Sequence, residues 1–142
     1  MTKNFFAYGT LMCEDIMVAV TGRSFRHIPG TLHRYQRRAI QGEVYPGLVA
    51  KKGGVVEGIT YLNLPDETWA QLDTFEGKMY QRKMVNADLM NGTSVEAYTY
   101  VVRREFKNRV KPVDWDYWEF LRTGKKRFEA EYAGFRVLGN IK

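Results

Sequence analysis

Two alternating runs, Tyr80 to Leu89 and Val95 to Val102, flank Asn91-Gly92, a dipeptide that folds a two-stranded ribbon back on itself because both positions tolerate positive φ. Such a hairpin is marginal alone in water and needs further strands or a helix on its apolar face. The preceding chain offers them. Phe25 to Leu64 is β-rich: Gly30 to Tyr35 alternates, Leu48-Val49-Ala50 is a short apolar run, and Val55 to Leu64 alternates again. Pro46-Gly47 and Gly53-Gly54 read as the turns between these runs, and Gly58 inside a strand points to a bulge or a close backbone approach. Asn4 to Tyr8 is a further apolar and aromatic run that ends on Gly9, as a buried strand entering a tight turn does. Strands of this number and size predict an α+β fold, a small mixed β-barrel with flanking helices.

Three helical stretches fit beside it. Ile16 to Val20 reads as a short helix stopped near Gly22. Pro65 and Asp66 open a second, whose Trp69, Leu72 and Phe75 share one face and whose stop is Gly77. Asp114 to Leu121 reads as a third, with Trp115, Trp118 and Leu121 at three-residue steps and Gly124 as its stop; Lys125 to Val137 is then a second helix or an irregular tail. A chain of 142 residues is expected to be one domain, with the barrel over about 1–102 and a basic helical segment over about 103–142.

That segment carries most of the net charge of +6: residues 103–142 hold 11 Lys or Arg against 6 Asp or Glu, a balance of +5. A footprint for nucleic acid is one reading. No nucleic-acid motif accompanies the charge, so a solvated basic face is the preferred one. No apolar run approaches the ~20 residues that span a bilayer, and Met1 to Gly9 lacks the apolar core of a signal peptide. A cytoplasmic protein without a membrane partner is expected, and the single Cys13 excludes an internal disulfide.

Counting also removes several chemistries. His27 and His33 are the only histidines, and neither sits in a ligand-spaced cluster, so neither metal nor cofactor is implied. Cys13 has no histidine placed beside it and reads as a small buried apolar residue. The serine-hydrolase elbow, the phosphate-binding P-loop and the dinucleotide fingerprint are all absent. Two features remain. Gly9-Thr10-Leu11 joins a strand to a helix, where backbone N–H groups and the Thr10 hydroxyl can converge on an anion, although a strand, a glycine and a helix also meet for purely structural reasons. Glu76 is the last residue of its helix, beside the negative end of the helix dipole and between Phe75 and Met79. Shielding there would raise its pKa and equip it for proton transfer near neutral pH; the same pattern describes a solvated helix-end glutamate.

Tyr8-Gly9-Thr10-Leu11, Tyr45-Pro46-Gly47-Leu48-Val49, Val56-x-Gly58-x-x-Tyr61, Leu72-Asp73-x-Phe75-Glu76-Gly77-x-x-Tyr80-x-Arg82 and Ala97-Tyr98-x-Tyr100 occur in this order. The ordered set resembles the gamma-glutamylcyclotransferase-like family, and within it the short branch with gamma-glutamylamine cyclotransferase and the plant avirulence-induced proteins. The resemblance implies a pocket at one end of the barrel, substrate held by the loop Tyr8 to Leu11, and Glu76 as acid and base. It also implies a small γ-glutamyl substrate whose α-amine attacks its own γ-carbonyl, releasing 5-oxoproline and an amine. Tyr8, Tyr45 and Tyr80 are candidate pocket walls or hydroxyl donors. Arg82 either orients a carboxylate or pairs with Asp73. A non-catalytic module binding a γ-glutamyl or similar carboxylate is the alternative, and the oligomeric state is not legible.

Overall fold

The computed structural model describes residues 2–131. Strand β1 (Thr2–Ala7) leads through a 3-10 turn (Thr10–Met12) into α1 (Glu14–Thr21). A long hairpin, β2 (His27–Ile40) and β3 (Pro46–Pro65), is followed by α2 (Asp66–Glu76), the hairpin β4 (Tyr80–Leu89) and β5 (Ser94–Val102), a second 3-10 turn (Arg104–Arg109) and β6 (Val110–Asp114). A C-terminal helix then starts at Tyr117.

The six strands form one mixed sheet. β1 runs antiparallel to β3 and parallel to β5, with Asn4 opposite Ala97 and Phe5 opposite Tyr98. β4 and β5 pair from Tyr80↔Val102 to Asp88↔Ser94 across the Asn91-Gly92 turn. β2 pairs with β3 along its length and also reaches β4 at Gly30↔Leu89 and Thr31↔Asp88. The pairings of β1, β3, β2, β4 and β5 thus run in a ring, with β6 added beside β2.

Inside the ring lie Phe6, Leu32, Leu48, Val56, Ala87 and Ala97. A larger apolar cluster joins Phe5 of β1 to Ile16 and Met17 of α1 and to Trp69 and Leu72 of α2. The Phe5 ring meets Trp69 edge-on at 5.9 Å. Each such side chain, fully buried, is worth about 1.5–3 kcal/mol of transfer free energy, and this cluster holds α2 at the end of the sheet where the site forms. Gly58 allows β1 to lie close to β3: a Cβ there would sit 2.4 Å from the Ala7 carbonyl.

Several local expectations are corrected. The β2–β3 turn lies over 41–45, with Gly42 at φ 77°, and Pro46-Gly47 already belongs to β3. Pro46 takes the first strand position, where a missing N–H costs least. Gly53-Gly54 is a bulge inside β3: residues 51–54 face Arg34 alone, between the pairs His33↔Val55 and Tyr35↔Ala50. Gly53 supplies φ 76° and Gly54 the space, since a Cβ on it would lie 2.3 Å from the Tyr35 carbonyl. The bulge bends the hairpin. β6 occupies Val110 to Asp114, so the C-terminal helix starts later than its aromatic spacing indicates, with Asp116 capping the amides of Trp118 and Glu119. Gly124 does not stop it. The helix widens to a π turn over Phe120–Gly124 and continues through 125–131, with Gly124 packed closely on Phe120 and Val44, to which a Cβ would come within 3.1 and 3.3 Å. The expected continuation to Val137 lies, beyond 131, outside the described residues. Trp115 is buried, whereas Trp118 is 73% exposed.

Candidate active site

α2 ends where its sequence indicates. The Gly77 amide donates to the Asp73 carbonyl, and Gly77 leaves the helix at φ 77°, a conformation that glycine adopts without strain. This stop aims Glu76 into a cavity of about 210 Å³ between the end of α2 and the loop after β1. Glu76 itself is half-buried, and its carboxyl lies where protein displaces water. Burial, helped by the nearby Asp73 carboxylate, raises its pKa to about 8. Among the described residues no salt bridge to Glu76 offsets that shift.

The loop facing it is held by side chains that grip its main chain. Tyr61 Oη donates to the Leu11 carbonyl at 2.7 Å. A guanidinium N–H of Arg37 donates to the Tyr8 carbonyl at 2.8 Å, and that guanidinium lies 5.2 Å from the Trp115 ring centre. Within the 3-10 turn, Met12 and Cys13 donate back to Gly9 and Thr10, which leaves the amides of Thr10 and Leu11 at its open end without an intrahelical acceptor. Thr10 and Leu11 are buried and line the cavity with Gly9. Gly9 is closely apposed to β3, since a Cβ on it would lie 2.8 Å from Pro46 Cγ.

Tyrosines complete the wall. Tyr8 Oη donates to the Tyr100 carbonyl at 2.7 Å and Tyr80 Oη to the Pro46 carbonyl at 2.6 Å. Their single protons are therefore committed to main chain. Burial, followed by the Glu76 charge, pushes the Tyr8 phenol well above its ordinary pKa, so it stays neutral. Tyr45 lines the cavity from the 41–45 turn.

The structure thus brings Tyr8, Gly9, Thr10, Leu11, Tyr45, Glu76 and Tyr80 to one cavity. Arg82 is not among its lining residues. Its guanidinium lies between the Trp69 and Tyr98 rings, at 5.1 and 4.8 Å, and pairs with Asp73 at 3.6 Å, two residues further along β4 than the cavity-lining Tyr80. Three contributors were not singled out from sequence: Tyr100, present in the ordered motif set without a role; Arg37, one of three arginines between Arg34 and Arg38 with nothing local to distinguish it; and Phe128, in a segment without diagnostic pattern. Cys13 is buried, 3.5 Å from Tyr117 Oη. No group of three or more metal-ligating side chains occurs among the described residues, and no helix there is long and apolar enough to cross a membrane.

A carboxyl held near neutral pKa in one cavity with the Gly9-Thr10-Leu11 loop can shuttle protons beside a developing oxyanion. Comparison with known proteins gives this arrangement a context. The family model described as gamma-glutamyl cyclotransferase, AIG2-like matches residues 5–119. Protein AIG2 C of Arabidopsis thaliana is 29% identical over 120 residues, covering 84% of this chain and 70% of that protein. An Arabidopsis thaliana protein known from its solution structure superposes with a TM-score of 0.70 at 25% identity, over 99% of this chain and 85% of its own. An AIG2-like protein from Mus musculus shares the fold, with a TM-score of 0.62 at 24% identity over 81% and 88% of the two chains.

Proposed function

The chain belongs to the gamma-glutamyl cyclotransferase, AIG2-like family, and we propose that it cyclises a small γ-glutamyl compound to 5-oxoproline with release of an amine or amino acid. The observation that carries this reading is Glu76: a carboxyl raised to about 8, inside a cavity lined by Thr10 and Leu11. A site built only to bind an anionic ligand gains nothing from a carboxylate in it.

The nucleophile is part of the substrate. Folding the glutamyl chain so that its α-nitrogen lies against its own γ-carbon makes the attack unimolecular, a gain that reaches about 7–11 kcal/mol in well-oriented systems. The bound ammonium draws Glu76 to its ionised form, and Glu76 accepts a proton from it. The freed amine forms the new N–C bond. The carbonyl oxygen takes up negative charge and is met by the amides of Thr10 and Leu11, with the Thr10 hydroxyl beside them. Collapse breaks the bond to the departing nitrogen, which receives its proton from Glu76. Overall, two protons leave the attacking nitrogen and two arrive on the departing one, carried one at a time, and Glu76 ends as it began. No enzyme nucleophile is consumed. The pinned phenols of Tyr8 and Tyr80 act as walls in this scheme.

The test is release of 5-oxoproline from a panel of γ-glutamyl amino acids and γ-glutamyl amines by the wild type and by Glu76→Gln. Release that falls about 10²-fold or more in the variant supports the assignment. Equal turnover by the two proteins removes Glu76 from the mechanism, and silence of the wild type across the panel rejects the reading.

A further inference from the structure

Among the described residues, all but one of those lining the cavity lie within the segment matched by the family model. The exception is Phe128. It sits in the helical stretch 125–131, 2% exposed, with its ring centre 6.0 Å from Phe75 and 5.9 Å from Phe120. Phe75 lines the same cavity as Glu76 and Phe128, so this aromatic pair forms part of the wall around the carboxyl. The same helix and the Trp115 that precedes it brace the turn that carries Tyr45: Gly124 packs on Val44, Arg127 donates to the Gly42 carbonyl at 3.0 Å, and Trp115 Nε1 donates to the Val44 carbonyl at 2.8 Å.

We propose that Phe128 is a specificity-determining residue that limits the bulk of the leaving group next to the scissile amide, so that the site takes γ-glutamyl derivatives of small amines or small amino acids. The inference rests on the cyclotransferase reading. Its first support is chemical. The ammonium and the scissile carbonyl oxygen of a γ-glutamyl compound need charged or hydrogen-bonding partners; Phe75 and Phe128 provide none, whereas Glu76 and the Thr10 and Leu11 amides do. The aromatic wall is left to the substituent on the departing nitrogen. Its second support is size. A cavity of about 210 Å³ is smaller than the roughly 300–1,000 Å³ typical of drug-sized ligands, and a glutamyl group takes up much of it. Its third is rigidity, because Phe128 is locked between Phe75 and Phe120 and cannot swing aside without disturbing both.

The experiment compares kcat/KM for γ-glutamyl-alanine and γ-glutamyl-phenylalanine in the wild type, Phe128→Ala and the milder Phe128→Leu, with thermal unfolding recorded for each. In the wild type the alanine compound should be preferred. Phe128→Ala should shift the ratio toward the phenylalanine compound by about 10-fold or more, the scale that steric discrimination in an apolar pocket reaches, and Phe128→Leu should shift it in the same direction by less. Should Phe128→Ala fail to fold, the Phe128→Leu ratio decides. An unchanged ratio, with both activities falling together, makes Phe128 a packing residue only and overturns the inference while leaving the cyclotransferase reading intact. A wild type silent on both compounds and on the wider panel overturns both.

Discussion

Tyr100 Oη donates to Asp73 Oδ1 at 2.6 Å, one helical turn before Glu76. Tyr100 lines the same cavity as Glu76, so its phenolic proton would stabilise the ionised carboxyl if it pointed there. Asp73 takes it instead and adds a second negative charge nearby, and both effects favour the protonated form of Glu76. Arg82, from the other side, pairs with Asp73 and tempers that charge.

The acidic limb of kcat/KM against pH should therefore move. Substrate ammonium and Glu76 must together lose one proton before attack, so activity rises with pH toward an inflection near 8, the value to which Glu76 is raised. Among the described residues, the phenols of Tyr8, Tyr45, Tyr80 and Tyr100 and the Lys78 ammonium are the other ionisable groups lining the cavity. Asp73→Asn keeps an acceptor for Tyr100 but removes the charge, and the inflection should fall by a few tenths to about one pH unit. Arg82→Met should raise it. An inflection fixed in both variants would assign the limb to another group.

Glu76→Gln should alter the pH dependence of stability as well as activity. The folded-state pKa lies above the unfolded value, from 4.5 to about 8, so between those values the folded protein holds more protons than the unfolded one, and stability declines as pH rises. The variant lacks this decline. Relative to wild type it should gain stability between pH 4 and pH 9, by at most a few kcal/mol after solvent screening. Urea unfolding at the two pH values measures it, and parallel losses in both proteins would show that Glu76 is not perturbed in solution.

Gly9→Val should raise KM or abolish turnover. Its Cβ meets Pro46 at 2.8 Å, and Pro46 is itself held by Tyr80, so the loop has to move and carry the Thr10 and Leu11 amides with it. Michaelis kinetics on the best γ-glutamyl substrate test this; wild-type constants would show that the loop is not the cradle.

Arg82→Met should also lower the melting temperature while leaving KM unchanged. The guanidinium contributes about 1 kcal/mol or more from its two aromatic faces and does not line the cavity. A raised KM with an unaltered melting temperature would instead return Arg82 to substrate binding.

The elements legible from sequence are those whose signal is local. Asn91-Gly92, the apolar face of Trp69, Leu72 and Phe75, and the stop at Gly77 each need only a few neighbouring residues. The elements missed depend on distant partners. Gly53-Gly54 looks like a turn until Tyr35 is brought opposite it, and Gly124 looks like a helix stop until Val44 fills the space beside it. At the site, Glu76 and the Gly9 loop stand out through local chemistry. Arg37, Tyr61 and Phe128 reach the cavity or its loop from segments 25 residues or more away along the chain, as in Arg37 to Met12 with a separation of 25 and Tyr61 to Leu11 with a separation of 50. Nothing around them in sequence records the encounter.

The tyrosine struts have a consequence for how such a site tolerates change. Tyr61, Tyr8 and Tyr80 each donate to a carbonyl of the backbone, at Leu11, Tyr100 and Pro46, and Thr99 does the same at Phe6. Only the donor needs a particular side chain, because every residue type brings the acceptor. Half of each bond is thereby indifferent to substitution, and the cradle can keep its shape while much of the chain that forms it drifts.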